Sequence, residues 1–383
     1  MEIVAELFSG LFQLDFGKIL MYGIGILLIY LAIKKDYEPM LLLPIGFGAI
    51  LVNLPFATVW EHDGNLGFLQ IFYNIGIITE LFPILIFIAV GAMIDFTPLL
   101  KTPKMLLFGA AAQFGIFFTI IAALFLGNMF PSMGIHLKEA ATIGIIGAAD
   151  GPTSIFVAGK FAPHLMGPIT VAAYSYMALV PIIQPPIIRL LTSREERMIR
   201  MEFKDIKVPK MALIAFPVVV TMIAGILAPI SAPLIGALMF GNLIRVCGVL
   251  NKLSEAAQNE LANLVTLVLG ITIGATMKAE AFLQLNTLFI MGLGLVAFIF
   301  DTAGGVLFAK LMNMFSTQKV NPMIGAAGIS AFPMSSRIVQ KMAKEEDPTN
   351  FILMQAVSAN VSGQLGSVIA GGIILSIVPI LLR

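Results

Sequence analysis

Long runs of apolar residues follow one another from Phe16 to Leu382, and almost no charge falls inside them. About 20 apolar residues are what an α-helix needs to cross a bilayer's hydrocarbon, where every backbone N–H and C=O must be satisfied internally. This one feature predicts an all-α, polytopic membrane protein. Phe16–Ile33, Met40–Phe56, Leu81–Phe96, Met105–Leu126, Pro168–Leu191, Met211–Ile230, Leu261–Met277, Leu288–Leu311 and Phe351–Leu382 read as spans. Leu66–Ile78 and Ser231–Val249 are less regular, and Ala140–Phe161 and Pro322–Met342 are broken by Gly, Pro and polar residues. Phe351–Leu382 is too long for one simple span, and SANVSGQLGS is expected to interrupt it. The expectation is about ten to twelve transmembrane or half-membrane helices.

Composition narrows the function. The 383 residues are 58% hydrophobic and 12% charged, against about 25% charged in an ordinary soluble domain. A net charge of +1 gives no field for nucleic acid. A single cysteine, Cys247, excludes an intrachain disulfide framework, and His62, His136 and His164 lack ligand spacing. The opening MEIVAELFSGLFQLDFGK begins with acid, lacks the basic region of a cleaved signal, and reads as an amphipathic interfacial helix. TSREERMIRMEFKDIKVPK (Thr192–Lys210) is aqueous; its six Lys/Arg place it on the cytoplasmic side. It separates a first half, 1–191, from a second, 211–383.

The halves resemble each other. IGIIGAADGPTSIFVAGKFA from Ile143 aligns with IGAAGISAFPMSSRIVQKMA from Ile324, with matches that include Gly147/Gly328, Pro152/Pro333 and Ser154/Ser335. Upstream, VGAMIDFTPLLKTPKMLLFG lies over IGATMKAEAFLQLNTLFIMG. A duplicated unit explains the shared order, and an odd number of intervening spans would invert one copy. The predicted architecture is therefore a pair of inverted-repeat halves with crossed discontinuous helices.

AADGPTS and GISAFPMSS would each interrupt a helix at membrane depth, because Gly151 permits unusual dihedrals and Pro152 and Pro333 remove donors. Irregular backbone survives there only inside protein or beside a water-filled cavity. Free carbonyls, hydroxyls and a carboxylate are hard oxygen ligands suited to an alkali cation. An ionised Asp150 at the bilayer centre costs at least ~3 kcal/mol. A bound cation, a proton or the guanidinium of Arg337 could offset that cost; the plainer alternative is an Asp150 that only caps a helix. Asp301, also deep in an apolar run, would pair with Lys310 or Arg245 in either a structural or a transport role. Tyr176 would be an ordinary core aromatic in most helices, and Asn321 a helix N-cap before Pro322. Asn360 and Ser362 would supply polar ligands or interhelical hydrogen bonds.

GAADGPTSIFVAGK and NPMIGAAGISAFPMSSRIVQK closely resemble the β subunit of the sodium-pumping biotin-dependent decarboxylases, the oxaloacetate, glutaconyl-CoA, methylmalonyl-CoA and related malonate decarboxylases. The likeness covers nearly the whole chain, without departure in either block. It implies a carboxybiotin decarboxylase of the bacterial cytoplasmic (inner) membrane that drives Na+ outward and consumes a proton. The implied partners are a carboxyltransferase α subunit, a biotin carrier protein and a small γ/δ membrane subunit, in a complex expected to contain more than one copy of this chain. The resemblance also implies residue roles. Asp150 would be the central Na+ ligand and Tyr176 a second-site or proton-relay residue. Asn321, Gly325 and Ser330 would belong to the facing broken helix, with Ser330 near a cation. Arg337, and with it Asn321, would meet the carboxybiotin anion.

The chemistry fits those residue types. Loss of CO2 from carboxybiotin leaves a ureido anion that must be protonated, and a cation with a proton donor helps that step; Arg337 and Tyr176 are of those kinds. No biotin-acceptor segment is recognisable, since TMKAE around Lys278 lacks the context, so carboxybiotin would arrive in trans. A Na+-coupled secondary transporter with inverted repeats is the alternative; it would move a solute when purified alone. A non-catalytic scaffold has no need for two polar interruptions.

Overall fold

The computed structural model describes residues 10, 13–36, 39–62, 64–202, 207–227 and 229–382. The expected interfacial helix at the N-terminus falls almost wholly outside them. The described chain is helical apart from one short antiparallel pair, Glu61–His62 with Asn65–Leu66. Its principal helices are α1 (Phe16–Lys35), α2 (Pro39–Val52), α3 (Leu81–Met93), α4 (Leu106–Ala111), α5 (Phe114–Met129), α6 (Leu137–Gly144), α7 (Gly151–Phe161) and α8 (Met166–Leu191). After the basic segment come α9 (Lys210–Leu227), α10 (Ala232–Cys247), α11 (Ala262–Gly274), α12 (Leu285–Phe315), α13 (Met323–Ala326), α14 (Met334–Glu346) and α15 (Leu353–Leu381).

Six described helices are long and apolar enough to cross a membrane, or eight when each of two bent pairs counts as one span. The protein is thus an all-α, polytopic membrane protein. The expected passes that fall short of this length, such as α2 and the Lys210–Ile226 stretch of α9, are apolar helices of 10–17 residues by the same criterion. Outward faces are greasy: Ile19, Ile26 and Ile33 of α1, and Met211, Met222 and Ile226 of α9, are all exposed, as lipid contact requires. Because lipid removes the hydrophobic drive between helices, close backbone approach holds them instead. Gly91 of α3 and Gly241 of α10 show this: an added Cβ would sit 1.9 Å from the Leu238 carbonyl and 2.0 Å from that of Ile88.

One expectation about continuity is corrected. Phe351–Leu382 is not interrupted at SANVSGQLGS; α15 runs unbroken for 29 residues. Its Asn360, Gln364 and Ser367 are buried and face partners inside the protein, so polarity there marks an inward face rather than a break. Met105–Leu126 falls as expected inside one apolar span, Pro103–Met129, with a local turn at Ala112–Gln113 between α4 and α5. The breaks at Asp150 and before Met334 are present as read.

The basic segment marks one face of the molecule. Arg189, Arg197 and Arg200 pair with Glu345, Glu346 and Asp347 at the end of α14 (3.0, 2.6 and 2.7 Å). The opposite face carries the Glu80–Lys160 pair (2.7 Å), at the start of α3 and the end of α7. α8 starts just beyond it and ends at Leu191, beside the basic segment. The Met93 end of α3 therefore points toward the basic face.

Candidate functional site

The first break is built by local chemistry. α6 tightens into a 3-10 turn at Ile145–Ala148, and Ala149 then adopts φ 51°, a left-handed conformation rare outside glycine. Asp150 is extended and caps α7, its Oδ1 accepting the Thr153 amide at 3.4 Å. Gly151 lets this turn seat against a ring: an added Cβ would lie 2.1 Å from Tyr174 Cζ.

The second break lies directly against the first. Between α13 and α14 the chain is non-helical, and the Ser330 amide donates to the Ala148 carbonyl at 3.1 Å. Three hydroxyls converge on Asp150 Oδ2: Thr153 Oγ1 at 2.7 Å, Ser367 Oγ at 2.7 Å and Ser330 Oγ at 3.5 Å. Ser330 and Ser367 also share a hydrogen bond of 2.8 Å. α15 holds the loop in place, with Asn360 Nδ2 on the Ile329 carbonyl (2.7 Å) and the Gln364 amide on that of Ser330.

Asp150 is only 4% exposed and makes no ion pair with Lys or Arg among the described residues. Its offsetting groups are hydroxyls. A hydroxyl can donate to a carboxylate or rotate to offer lone pairs to a cation. One carboxylate among hydroxyls suits a monovalent hard cation; no cluster of three His, Cys, Asp or Glu exists among the described residues to favour a transition metal. Asp150 is thus both a helix cap and the centre of a buried oxygen cluster.

A cavity of about 390 Å³ opens onto this cluster, lined by Asp150, Ser330, Gln364, Tyr174 and the Ile86–Met93 stretch of α3, with Asn263 and Thr266 of α11. That stretch is the end of α3 toward the basic face.

The structure does not bring the other expected residues to Asp150's carboxylate. Tyr176 donates its hydroxyl to the Met291 carbonyl of α12; the tyrosine at the cavity is Tyr174, two residues earlier and on another side of α8. Asn321 gives its Nδ2 to the Arg197 and Ile199 carbonyls of the basic segment (2.8 and 2.9 Å), while its Oδ1 accepts the Met323 amide (3.1 Å). Gly325 is a crossing point: an added Cβ would lie 1.9 Å from the Gly305 carbonyl of α12. Arg337 is exposed on the first turn of α14 and its guanidinium has no ion pair or hydrogen bond among the described residues; its amide bonds to the carbonyl of Pro333, which lines the cavity. Ser362 donates to the Leu106 carbonyl (3.0 Å).

The expected partners of Asp301 are also corrected. Lys310 bonds the Leu191 carbonyl and Glu196 (3.0 and 3.2 Å), and Arg245 reaches the Ala92 and Met93 carbonyls. Asp301 instead accepts the Ile116 amide at 3.1 Å. The sequence reading missed Ser367. The signal was present in Asn360, Gln364 and Ser367, whose spacings of four and three residues put them on one helix face.

A family profile described as Na+-transporting oxaloacetate decarboxylase beta subunit matches residues 17–378. The methylmalonyl-CoA decarboxylase subunit beta of Propionigenium modestum is 49% identical over 389 residues, covering 96% of this chain and 97% of the relative. The glutaconyl-CoA decarboxylase subunit beta of Acidaminococcus fermentans is 50% identical over 370 residues, covering 97% and 96%. The oxaloacetate decarboxylase beta chain of Klebsiella pneumoniae is 45% identical over 421 residues, covering 96% and 97%. The chain belongs to this family, the β subunits of Na+-transporting decarboxylases, membrane components that couple decarboxylation to sodium transport.

Proposed function

We propose that Na+ binds at the Asp150 cluster, with Thr153, Ser330 and Ser367 as its hydroxyl ligands, and that the cavity beside it is the cytoplasmic approach. The carrying observation is the buried Asp150 carboxylate, met by hydroxyls from α7, α15 and the loop before α14, with no side-chain cation paired to it among the described residues. An acid in such a place is stabilised when a cation visits it. Two halves, 1–191 and 211–383, meeting at their broken helices would place that cation where each half supplies ligands.

Carboxybiotin, carried by a biotinylated partner, supplies the bond whose cleavage releases CO2. Arg337 attracts its carboxylate: an exposed guanidinium with no ion pair among the described residues, one turn from the cavity wall, is placed to do so. Tyr174, Asn263 and Thr266 line the approach. Asn321 and Gly325 act by position, Asn321 by holding the basic segment and Gly325 by seating α13 against α12. Tyr176 ties α8 to α12 beside the path. The membrane is the bacterial cytoplasmic membrane, and the partners are a carboxyltransferase, the biotin carrier and a small membrane subunit.

The test is reconstitution with a biotinylated carrier and measurement of Na+ flux against CO2 release. Asp150→Asn should abolish both Na+ flux and Na+-stimulated CO2 release. Normal Na+ dependence in that variant would contradict the assignment. Solute transport by the purified chain alone would favour a secondary transporter.

A further inference from the structure

Asp301 is a second acid inside the helix bundle, and the Na+ cluster does not use it. It lies in the middle of α12 with no exposed surface. Its Oδ1 accepts the Ile116 amide in the first turn of α5, and its Oδ2 has no hydrogen-bond partner among the described residues. Two glycines make room for the carboxyl. An added Cβ would lie 2.6 Å from Oδ1 at Gly115 and 2.7 Å from Oδ2 at Gly147. Gly147 belongs to the 3-10 turn that leads, three residues later, to Asp150. The two buried acids therefore flank one short segment, Asp301 against its middle and Asp150 at its end.

Their surroundings select different ions. Hydroxyls that can turn lone pairs toward a cation ring Asp150. Asp301 accepts an amide N–H on Oδ1, and no hydroxyl hydrogen-bonds to either carboxylate oxygen among the described residues; an N–H group cannot ligate Na+. The bound proton itself removes the cost of a buried charge there. We propose that Asp301 is a proton-carrying site of the pump, coupled to Asp150 through the 145–149 segment. This rests on Asp150 being the Na+ site.

The sign of the coupling follows from like charges. While Asp150 stands ionised without Na+, its charge disfavours a second carboxylate nearby, and Asp301 keeps its proton. Na+ on Asp150 removes that repulsion and Asp301 gives its proton up. By reciprocity, a proton loaded onto Asp301 weakens Na+ binding and favours release. No other charge intervenes: α5 and the 145–148 turn carry no titratable side chain. Lys138 and Glu139 lie at the far end of α6. On α12, Lys310 is paired with Glu196. Tyr174 and Tyr176 are the tyrosines of α8, and Tyr176 bonds Met291, ten residues before Asp301.

The experiment follows proton release from the purified full chain in lightly buffered detergent, with a pH-indicator dye, on addition of NaCl or KCl. Na+ binding is measured in parallel. Wild type should release protons with Na+ and not with K+. Asp301→Asn keeps an oxygen for the Ile116 amide, so it should fold and bind Na+. It should release fewer protons per Na+ and show a shallower pH dependence of Na+ half-saturation. Unchanged release and pH dependence in Asp301→Asn overturn the proposal. Asp301→Glu gives a second readout that needs no loss of the acid. The carboxyl stretch that disappears on Na+ addition in infrared difference spectra should shift in this variant; a Na+-sensitive band that does not move overturns the proposal too. Loss of Na+ binding in Asp150→Asn combined with unchanged proton release in Asp301→Asn removes this inference alone. Wild-type Na+ binding in Asp150→Asn removes the Na+ site itself.

Discussion

The two broken segments meet at two hydrogen bonds, from the Ser330 amide to the Ala148 carbonyl and from Ser330 Oγ to Asp150 Oδ2, yet their backbones are stabilised in different ways. The break before α7 carries a charge and orders itself locally: Asp150 caps its own helix and Ser154 returns a hydroxyl to the Asp150 carbonyl (2.9 Å). The break before α14 is uncharged and is held from outside. Asn360 and Gln364 of α15 take the Ile329 and Ser330 carbonyls, and Gln184 of α8 takes that of Ala326 (2.9 Å). An unsatisfied carbonyl is costly away from water, so side chains of neighbouring helices must supply the donors. The difference teaches a division of labour. One break provides the ion's counter-charge, and the other a rigid oxygen-bearing wall.

The comparison breaks most visibly if the wall gives way. Gly325→Ala would push a methyl into the Gly305 carbonyl, with only 1.9 Å available, at a cost of about 3 kcal/mol. Thermal unfolding should show this loss, whereas Gly292→Ala, with nothing within 4 Å of the added carbon, should be silent. Asn360→Leu should cost about 1–3 kcal/mol by stranding the Ile329 carbonyl, read in the same assay. Ser367→Ala sharpens the contrast, because it removes a hydroxyl from Asp150 and one side-chain bond to Ser330 while keeping the Asn360 and Gln364 donors that hold the wall's backbone. It should raise the Na+ half-saturation about tenfold, which corresponds to ~1.4 kcal/mol, with little change in unfolding temperature. Equal Na+ affinity in that variant would remove Ser367 from the site.

The smallest effects lie at the basic face. Thr349's hydroxyl and amide, with help from Arg200, hold the partly buried Asp347 carboxyl below the usual carboxylate range. A depressed folded-state pKa contributes stability above the ordinary value of about 3.9 that is lost as pH falls through the lower folded one. Asp347→Asn should therefore flatten the acid limb of stability and slightly lower stability at neutral pH, where the wild-type carboxylate makes its full contribution. Proteolysis within residues 192–202 across pH is the check.

Much of this was legible in the sequence, for identifiable reasons. Asp-Gly-Pro and the Pro333 loop break helices by backbone chemistry, which is local and readable. SANVSGQLGS was misread because a polar stripe on a buried helix looks like a break when partners are unknown. Tyr174 and Tyr176 differ only in which side of α8 they occupy, and an apolar helix buried on several sides gives no periodicity to tell sides apart. The hold of Asn321 on the basic segment joins residues more than 120 apart and leaves no local signal.

The most direct measurement is the unfolding temperature of the purified chain as Na+ replaces K+ at constant ionic strength, for wild type and Asp150→Asn. A ligand that binds only the folded state stabilises it in proportion to ln(1 + [L]/Kd). The account predicts a rise with Na+ in the wild type that disappears in Asp150→Asn. An equal Na+-dependent rise in the variant would show that sodium sits somewhere other than on this carboxylate.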